Sequence, residues 1–400
     1  MRKYVWSGVL SSMFLYYAVP FFGMQIANLG VYRRGSGGKP EVALTFDDGP
    51  DPQTTPLIMD ILEKNGVRGT FFMLGEAMLK HPDLARSVLE RGHEVALHGF
   101  RHRSAFFRFP WDVFLDMYRG HDAFVTVFGK APVWFRPAHG AYTAAVWYGL
   151  RKLNLKTAHW TIESHDWCFT AQEVQRRVLD HLEPGDVVVM HDSGPGAKTC
   201  LEALPELVQE MKNRHYQLKT LGQMHNLRTS SGRDIVQRLW RLFERRWDRH
   251  YQVDYLTQDS RSLFRLCLTA LPDIPELQSL SGTECAELHL HSPRMVPLAE
   301  EAPMTTVRCV RHSMKDLAWA LENLPKYADV PGVFALATYQ NILETLGFSI
   351  YDPPKTLSTQ WFRWYMFFLR NLYSSGPNRD AILPKIAWMS RETLLERYSR

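Results

Sequence analysis

Between Val42 and Leu221 short apolar runs alternate with amphipathic stretches, and this rhythm restricts the fold more than any other feature of the chain. The runs at 42–46, 70–74, 94–98, 134–136, 157–162 and 186–191 are read as strands. The stretches at 57–65, 81–91, 111–128 and 201–213 place apolar residues three and four apart and are read as helices. Strands separated by helices imply a parallel sheet or barrel under an outer helical layer. With 400 residues the chain exceeds the size at which one core stops growing, so a second domain is expected.

The flanks differ in texture. Arg2 and Lys3 precede an uncharged stretch, Tyr4 to Gly30, that is followed by Arg33 and Arg34. At about 1.5 Å per residue such a stretch is long enough to cross a hydrocarbon layer of about 30 Å, so it is read as an uncleaved membrane anchor. A cleavable signal segment, with Ala27 as the small residue, and a buried hairpin bent at Pro20 are the alternatives. Residues 35–39 (GSGGK) form a short linker and 229–233 (TSSGR) a polar break. Residues 234–250 then read as an amphipathic helix with Val236, Trp240, Phe243 and Trp247 along one stripe and five arginines on its flanks. It is taken as a solvated linker helix, with a membrane-surface helix as the other reading. The aromatic run at 360–373 reads as a core helix.

Composition excludes several classes. Lys and Arg number 47 against 42 Asp and Glu, a net charge of +5 that makes no case for nucleic acid. The five cysteines contain no CxxC pair, so neither a zinc ribbon nor a thioredoxin-like motif is present.

Two constellations carry chemistry. Asp47 and Asp48 end the first strand and Gly49-Pro50 turns the chain at once. Neighbouring carboxylates cooperate only where the backbone leaves the strand, and parallel sheets assemble their sites at those carboxyl ends. His98 and His102 follow the third strand. Four residues apart, they would share one face of a helical turn, about 6 Å from each other, and suit joint binding of one metal ion. Asp48 can supply the third donor of an open catalytic site.

At this point the chain resembles the NodB-homology polysaccharide deacetylases. Thr45-Phe46-Asp47-Asp48-Gly49-Pro50 is similar to that family's first motif, and Gly69–Phe72 and Gly92–His98, ending in His102, continue it. Phe135–Gly140 is similar to the third motif, Asp166-Trp167 to the fourth and Val189–Asp192 to the fifth. The resemblance implies a distorted (β/α) barrel and a metal-dependent hydrolase of non-peptide carbon–nitrogen bonds. Its substrate would be an N-acetylated glycan such as peptidoglycan or chitin. It implies Asp48, His98 and His102 as ligands to a divalent metal, zinc first and cobalt as a substitute. It implies Asp47 as general base, Arg136 as the group that orients it, and His191 as general acid held by Asp166. A backbone N–H near His139 and Gly140 would meet the oxyanion, while Trp167 and Val189 would wall the acetyl pocket.

The chain departs from the family pattern at Ala138 and His139, where Pro and an aromatic are usual, and at Gly99, where Ser or Thr is common. Two other functions therefore stand beside the first: deacetylation of a membrane glycolipid, suggested by the anchor and the basic helix, and a glycan-binding module without turnover. The C-terminal region resembles the YkoP-type domain.

The expected organisation is a membrane anchor and linker over 1–39, a catalytic domain over 40–225, a linker helix over 226–252 and an α+β domain over 253–400. The anchor predicts a membrane-attached protein with an extracytoplasmic catalytic domain.

Overall fold

Every residue of the strand Glu41–Asp47 (β2) is buried, as a strand covered on both faces requires and as its near-continuous apolar run encodes. The computed structural model describes residues 14–229, 232–257, 259–337, 340–354, 365, 367–368, 372 and 385–399. The chain divides between Ile235 and Val236 into two compact units.

The first unit is built on one sheet. Its strands are β1 (Val31–Arg34), β2, β3 (Thr70–Met73), β4 (Glu94–Leu97), β5 (Trp134–Phe135), β6 (Lys156–Ala158), β7 (Ile162–Glu163), β8 (Val187–His191), β9 (Gln217–Lys219) and β10 (Arg228–Thr229). They pair in the order β10-β1-β6-β5-β4-β3-β2-β8-β7, with β9 also on β2. Only the β1–β10 pair is antiparallel.

The expected distorted (β/α) barrel takes the form of a curled, open sheet. The run at 157–162, read as one strand, is two: β6 pairs with β1 and β5, whereas β7 pairs with β8 at the other edge. Residues 159–161 join them, and a connection this short spans at most about 13 Å. The sheet therefore curls until its β7 edge approaches β6, yet no pairing closes it. It is an open half-barrel.

The membrane segment is corrected. Residues 1–13 of that stretch lie outside the described residues. Within the described part, residues 14–26 are helical throughout: the turns Phe14–Ala18 and Phe21–Ile26 are joined through Val19 and Pro20, both of helical conformation. At about 1.5 Å per residue these helical residues rise about 20 Å, short of a hydrocarbon layer of about 30 Å. Among the described residues no helix is long and apolar enough to cross a membrane. Tyr16 and Met24 pack against the core of the first unit, and Val31–Arg34 join its sheet as β1. The expected membrane attachment rested on that anchor and is not borne out by the described residues.

Strand alternation sorts the sheet into two faces. Leu44, Phe46, Phe71, Leu97, Val188 and Met190 point outward and pack with Ile58, Leu62, Val88, Phe124 and Leu204 from the surrounding helices. Ala43, Phe72, Ala96, Trp134, Ala158 and Val187 form the smaller inner cluster. Positions 45, 47, 98, 136, 189 and 191 continue this inner parity at the carboxyl ends of their strands. One periodicity thus collects polar groups from four strands on the concave face.

The second unit holds a six-stranded sheet ordered β11 (Asp254–Tyr255), β12 (Phe264–Ala270), β13 (Glu284–Leu290), β14 (Gly332–Ala337), β16 (Lys385–Ser390), β15 (Ser349–Tyr351). Leu266, Ala286, Leu288, Val333 and Met389 pack on one face with Val310, Met314, Leu317 and Leu321 of the helix Pro303–Asn323. On the other face Cys285, Phe334, Ile386 and Trp388 cluster. The helix Gly232–His250 places Asp248 2.8 Å from Arg265 of β12. Most of the aromatic run at 360–373 lies outside the described residues. Of those described, Tyr365 and Phe368 contact Trp240.

Candidate active site

The aspartate pair sits where β2 ends. Asp47 keeps the strand's inward direction, while Asp48 takes a left-handed φ of 83°, which swings its carboxylate to the same side. An aspartate tolerates this conformation better than most residues, but it needs support from its surroundings. Asp192 supplies that support. Its Oδ1 accepts a hydrogen bond from the Gly49 N–H at 3.0 Å and its Oδ2 accepts one from the Thr55 hydroxyl at 2.6 Å. A Cβ on Gly49 would lie 2.1 Å from Asp192 Oδ2, so the close approach requires glycine. Burial, with Asp48 and Asp47 nearby, pushes the Asp192 carboxyl up to about 7.

Asp47 is held from the side. Arg136 Nη1 donates to Asp47 Oδ1 at 2.6 Å and to Thr45 Oγ1 at 2.9 Å, and Nε donates to the Ala158 carbonyl at 3.2 Å. The guanidinium lies 3.9 Å from the centre of the Phe72 ring and is fully buried. A buried cation of this kind is tolerated only when paired and hydrogen-bonded. The pair leaves Asp47 Oδ2 facing His98, 3.9 Å from Nε2.

His98, His102 and Asp48 converge. Asp48 Oδ1 lies 3.4 Å from His98 Nε2 and 3.3 Å from His102 Nε2. The two imidazoles stack with centroids 5.6 Å apart, but through a bend following Gly99 rather than the helical turn expected from their spacing. His98 Nδ1 faces the Arg136 carbonyl at 2.8 Å, which turns Nε2 toward Asp48. Burial resists ionisation of Asp48, but His98, His102 and His191 outweigh it and bring its carboxyl down to about 2.

These three groups suit a divalent transition ion. Nitrogen and oxygen donors about 2.0–2.1 Å from a tetrahedral zinc stand about 3.3 Å from one another, close to the separations from Asp48. Asp48 Oδ1 is buried and, among the described residues, makes no hydrogen bond, facing instead the two imidazole nitrogens, an arrangement costly for a carboxylate oxygen unless it ligates an ion. The donor set therefore fits a metal.

On the opposite side of Asp47 stands His191. Its Nδ1 is 2.6 Å from Asp166 Oδ1, and its backbone N–H donates to Asp166 Oδ2 at 2.8 Å, so one carboxylate fixes both ring and main chain. Burial opposes the charged imidazole, yet Asp166, with Asp47 and Asp48 beyond, outweighs it and raises His191 to about 9.

The other predicted residues are arranged more loosely. His139 is exposed, with φ 57° in the turn Ala138–Gly140, and its ring lies 4.4 Å from that of His102. Gly140 is buried behind it. Val189 is buried in β8, two residues before His191 on the same face. Trp167 is exposed, with its ring 5.7 Å from that of His165, outside the cluster. Sequence reasoning assigned no role to Asp192, Thr55 or Thr45. The adjacency of Asp192 to His191 was the only signal for the first, and the two threonines carried none.

The polysaccharide deacetylase family model matches residues 34–158 and the YkoP domain model matches residues 233–398. The chain is 29% identical over 198 residues to the peptidoglycan-N-acetylglucosamine deacetylase PgdA of Listeria monocytogenes, covering 49% of this chain and 41% of that protein. It thus spans less than half the length of that relative. It is 31% identical to a peptidoglycan-N-acetylglucosamine deacetylase of Bacillus cereus, over 46% of this chain and 87% of that one. A chitooligosaccharide deacetylase of a Bradyrhizobium strain is 30% identical over 47% of this chain and 92% of its own. Likeness at this level, running through nearly the whole of two shorter proteins, makes the chain a member of the polysaccharide deacetylase family.

Proposed function

We propose that the first unit hydrolyses the N-acetyl group of an N-acetylhexosamine glycan, peptidoglycan or a chitin-like polymer, with a divalent metal held by Asp48, His98 and His102. The observation that carries this reading is the placement of that donor set between two oppositely charged pairs, Asp47 held by Arg136 and His191 held by Asp166. A bound divalent ion, zinc by preference, would supply a Lewis acid that polarises oxygen and lowers the pKa of water.

The chain's own residues account for the proton transfers. Asp47, with Oδ1 tied to Arg136, offers Oδ2 as the acceptor of a proton from the attacking water. Arg136 keeps that carboxylate oriented. His191 stays charged up to about pH 9 and gives its Nε2 proton to the departing nitrogen, which leaves as an amine. Asp166 anchors the imidazole through Nδ1, so that Nε2 is the donating atom. The main chain around His139 and Gly140 meets the oxyanion, and Val189 and Trp167 border the acetyl methyl. Burial of Val189 fits that assignment, whereas the exposed Trp167 would have to turn inward to serve it.

The glycolipid alternative loses the anchor and rests on the basic helix Gly232–His250 alone. The binding-module alternative rested on Ala138 and His139; the His139 ring lies 4.4 Å from that of His102, but neither change removes a donor or a charged group of the cluster.

The full chain with zinc or cobalt should release acetate from chito-oligosaccharides or peptidoglycan. Asp47→Asn, which keeps shape but removes the base, should lower turnover by about 10²–10⁴-fold. Undiminished acetate release by that variant would refute the assignment of the base, and saccharide binding without any acetate release would favour the binding module.

A further inference from the structure

We propose that Cys267, Glu287 and His289 of the second unit form a separate site for a thiophilic divalent transition cation such as zinc. The three residues lie on one face of the antiparallel pair β12–β13. Cys267 is directly opposite Glu287, and His289 is opposite Arg265, the residue two positions before Cys267. Side chains across and diagonal to one another on such a face are within reach. One ligand atom from each lies within 4.8 Å of the other two.

The geometry selects among the uses of such a trio. Cys267 Sγ is 3.3 Å from His289 Nε2, and Glu287 Oε2 is 3.7 Å from that same nitrogen. In a nucleophilic triad the imidazole bridges its partners, taking the nucleophile on one ring nitrogen and the carboxylate on the other. Here thiol and carboxylate face one nitrogen, which can donate or accept only one proton. That arrangement does not build a relay. It is what three donors aimed at a shared cation present. A tetrahedral zinc with sulfur at about 2.3 Å and nitrogen at about 2.0–2.1 Å separates those two atoms by about 3.5 Å, close to the distance found.

The surroundings agree. Thr269 Oγ1 donates to Glu287 Oε2 at 3.0 Å and fixes the carboxylate, as the outer partners of metal ligands do. The nearby cations do not occupy the trio: Arg265 is paired with Asp248 at 2.8 Å and Lys326 with Asp254 at 2.7 Å. A thiolate and a carboxylate together balance a divalent charge, and Cys267 gives up its thiol proton to solvent when the ion binds. Cys267 is buried while Glu287 and His289 are partly exposed, so the ion can enter from their side.

Cobalt(II) titration of the full chain tests this directly. The Asp48 cluster offers only nitrogen and oxygen, so a sulfur-to-cobalt charge-transfer band reports the second site even with the first occupied. The band should appear in the unmutated chain and persist in His98→Ala. It should be lost in Cys267→Ser, and in His289→Ala the affinity should fall by on the order of 100-fold. Cys285→Ser, which alters a neighbouring buried thiol, should keep it. Absence of a sulfur band in the unmutated chain, or its survival in Cys267→Ser, would overturn the proposal.

Discussion

The two donor clusters are assembled by opposite kinds of strand pairing. Asp48 and His98 come from the ends of β2 and β4, two parallel strands with β3 between them, and His191 and Arg136 arrive from β8 and the end of β5. Cys267, Glu287 and His289 face one another within a single antiparallel pair. In the first unit the sheet's carboxyl edge does the gathering, and each residue needs its own brace: Arg136 for Asp47, Asp166 for His191, Asp192 for the Asp47–Gly49 turn. In the second the register alone brings the donors together, and one hydroxyl, that of Thr269, serves as brace. The parallel site should therefore be sensitive to changes in residues that would never touch substrate, and the antiparallel one much less so.

The largest effect that would break this contrast lies at Arg136. Removing one partner of a buried ion pair leaves the other charge unsolvated, at about 3–5 kcal/mol. Arg136→Met should lower stability toward urea by that amount and disable turnover besides. A loss below about 1 kcal/mol would mean that Asp47 finds other solvation, and that the first cluster is no more dependent on its braces than the second.

Next comes the Asp166–His191 pair. A histidine raised to about 9 is charged below that pH, so the proton donor is present at neutral pH and is lost as pH rises through about 9. The specific activity kcat/KM should fall tenfold per pH unit above about 9. Asp166→Asn removes the chief stabiliser of the charged ring, and should move that alkaline limb downward while lowering kcat/KM by about 10²-fold or more. A limb that stays in place would assign it to a group other than His191.

How far the sequence discloses each cluster follows from the same contrast. The aspartate pair and the two histidines stand next to strand ends, so short-range spacing pointed to them. The resemblance added Arg136, Asp166 and His191, which no local pattern joins. Asp192 was passed over because its role is to brace a turn, visible only once β2 and β8 are adjacent. Cys267 and Glu287 are separated by a long connection between β12 and β13, and nothing in its composition fixes which residues come face to face. The misread N-terminal stretch has a similar cause. Apolar length alone does not distinguish residues bound for lipid from residues such as Tyr16 and Met24 that pack on a protein core. Likewise, a continuous apolar run at 157–162 does not reveal that β6 pairs between β1 and β5 while β7 pairs with β8 at the sheet's edge.

The smallest expected effect sits at Gly99, where the chain departs from its family. With φ at 93°, this residue lies in the region that side chains avoid, and an added Cβ would lie 3.0 Å from Asp116 Oδ2. That same oxygen accepts the Phe100 N–H at 3.1 Å, so Asp116 has little freedom to withdraw. Restoring the common residue by Gly99→Ser should therefore destabilise this chain by about 1–2 kcal/mol, the usual penalty of a left-handed side-chain residue. Because Gly99 immediately follows His98 and begins the bend to His102, metal affinity at the first cluster should fall with it, while the sulfur band of the second stays unchanged. A Ser variant as stable as the unmutated chain, with full metal affinity, would show that the bend relaxes to the family's conformation. The first cluster would then owe its geometry to its strands alone, as the second does.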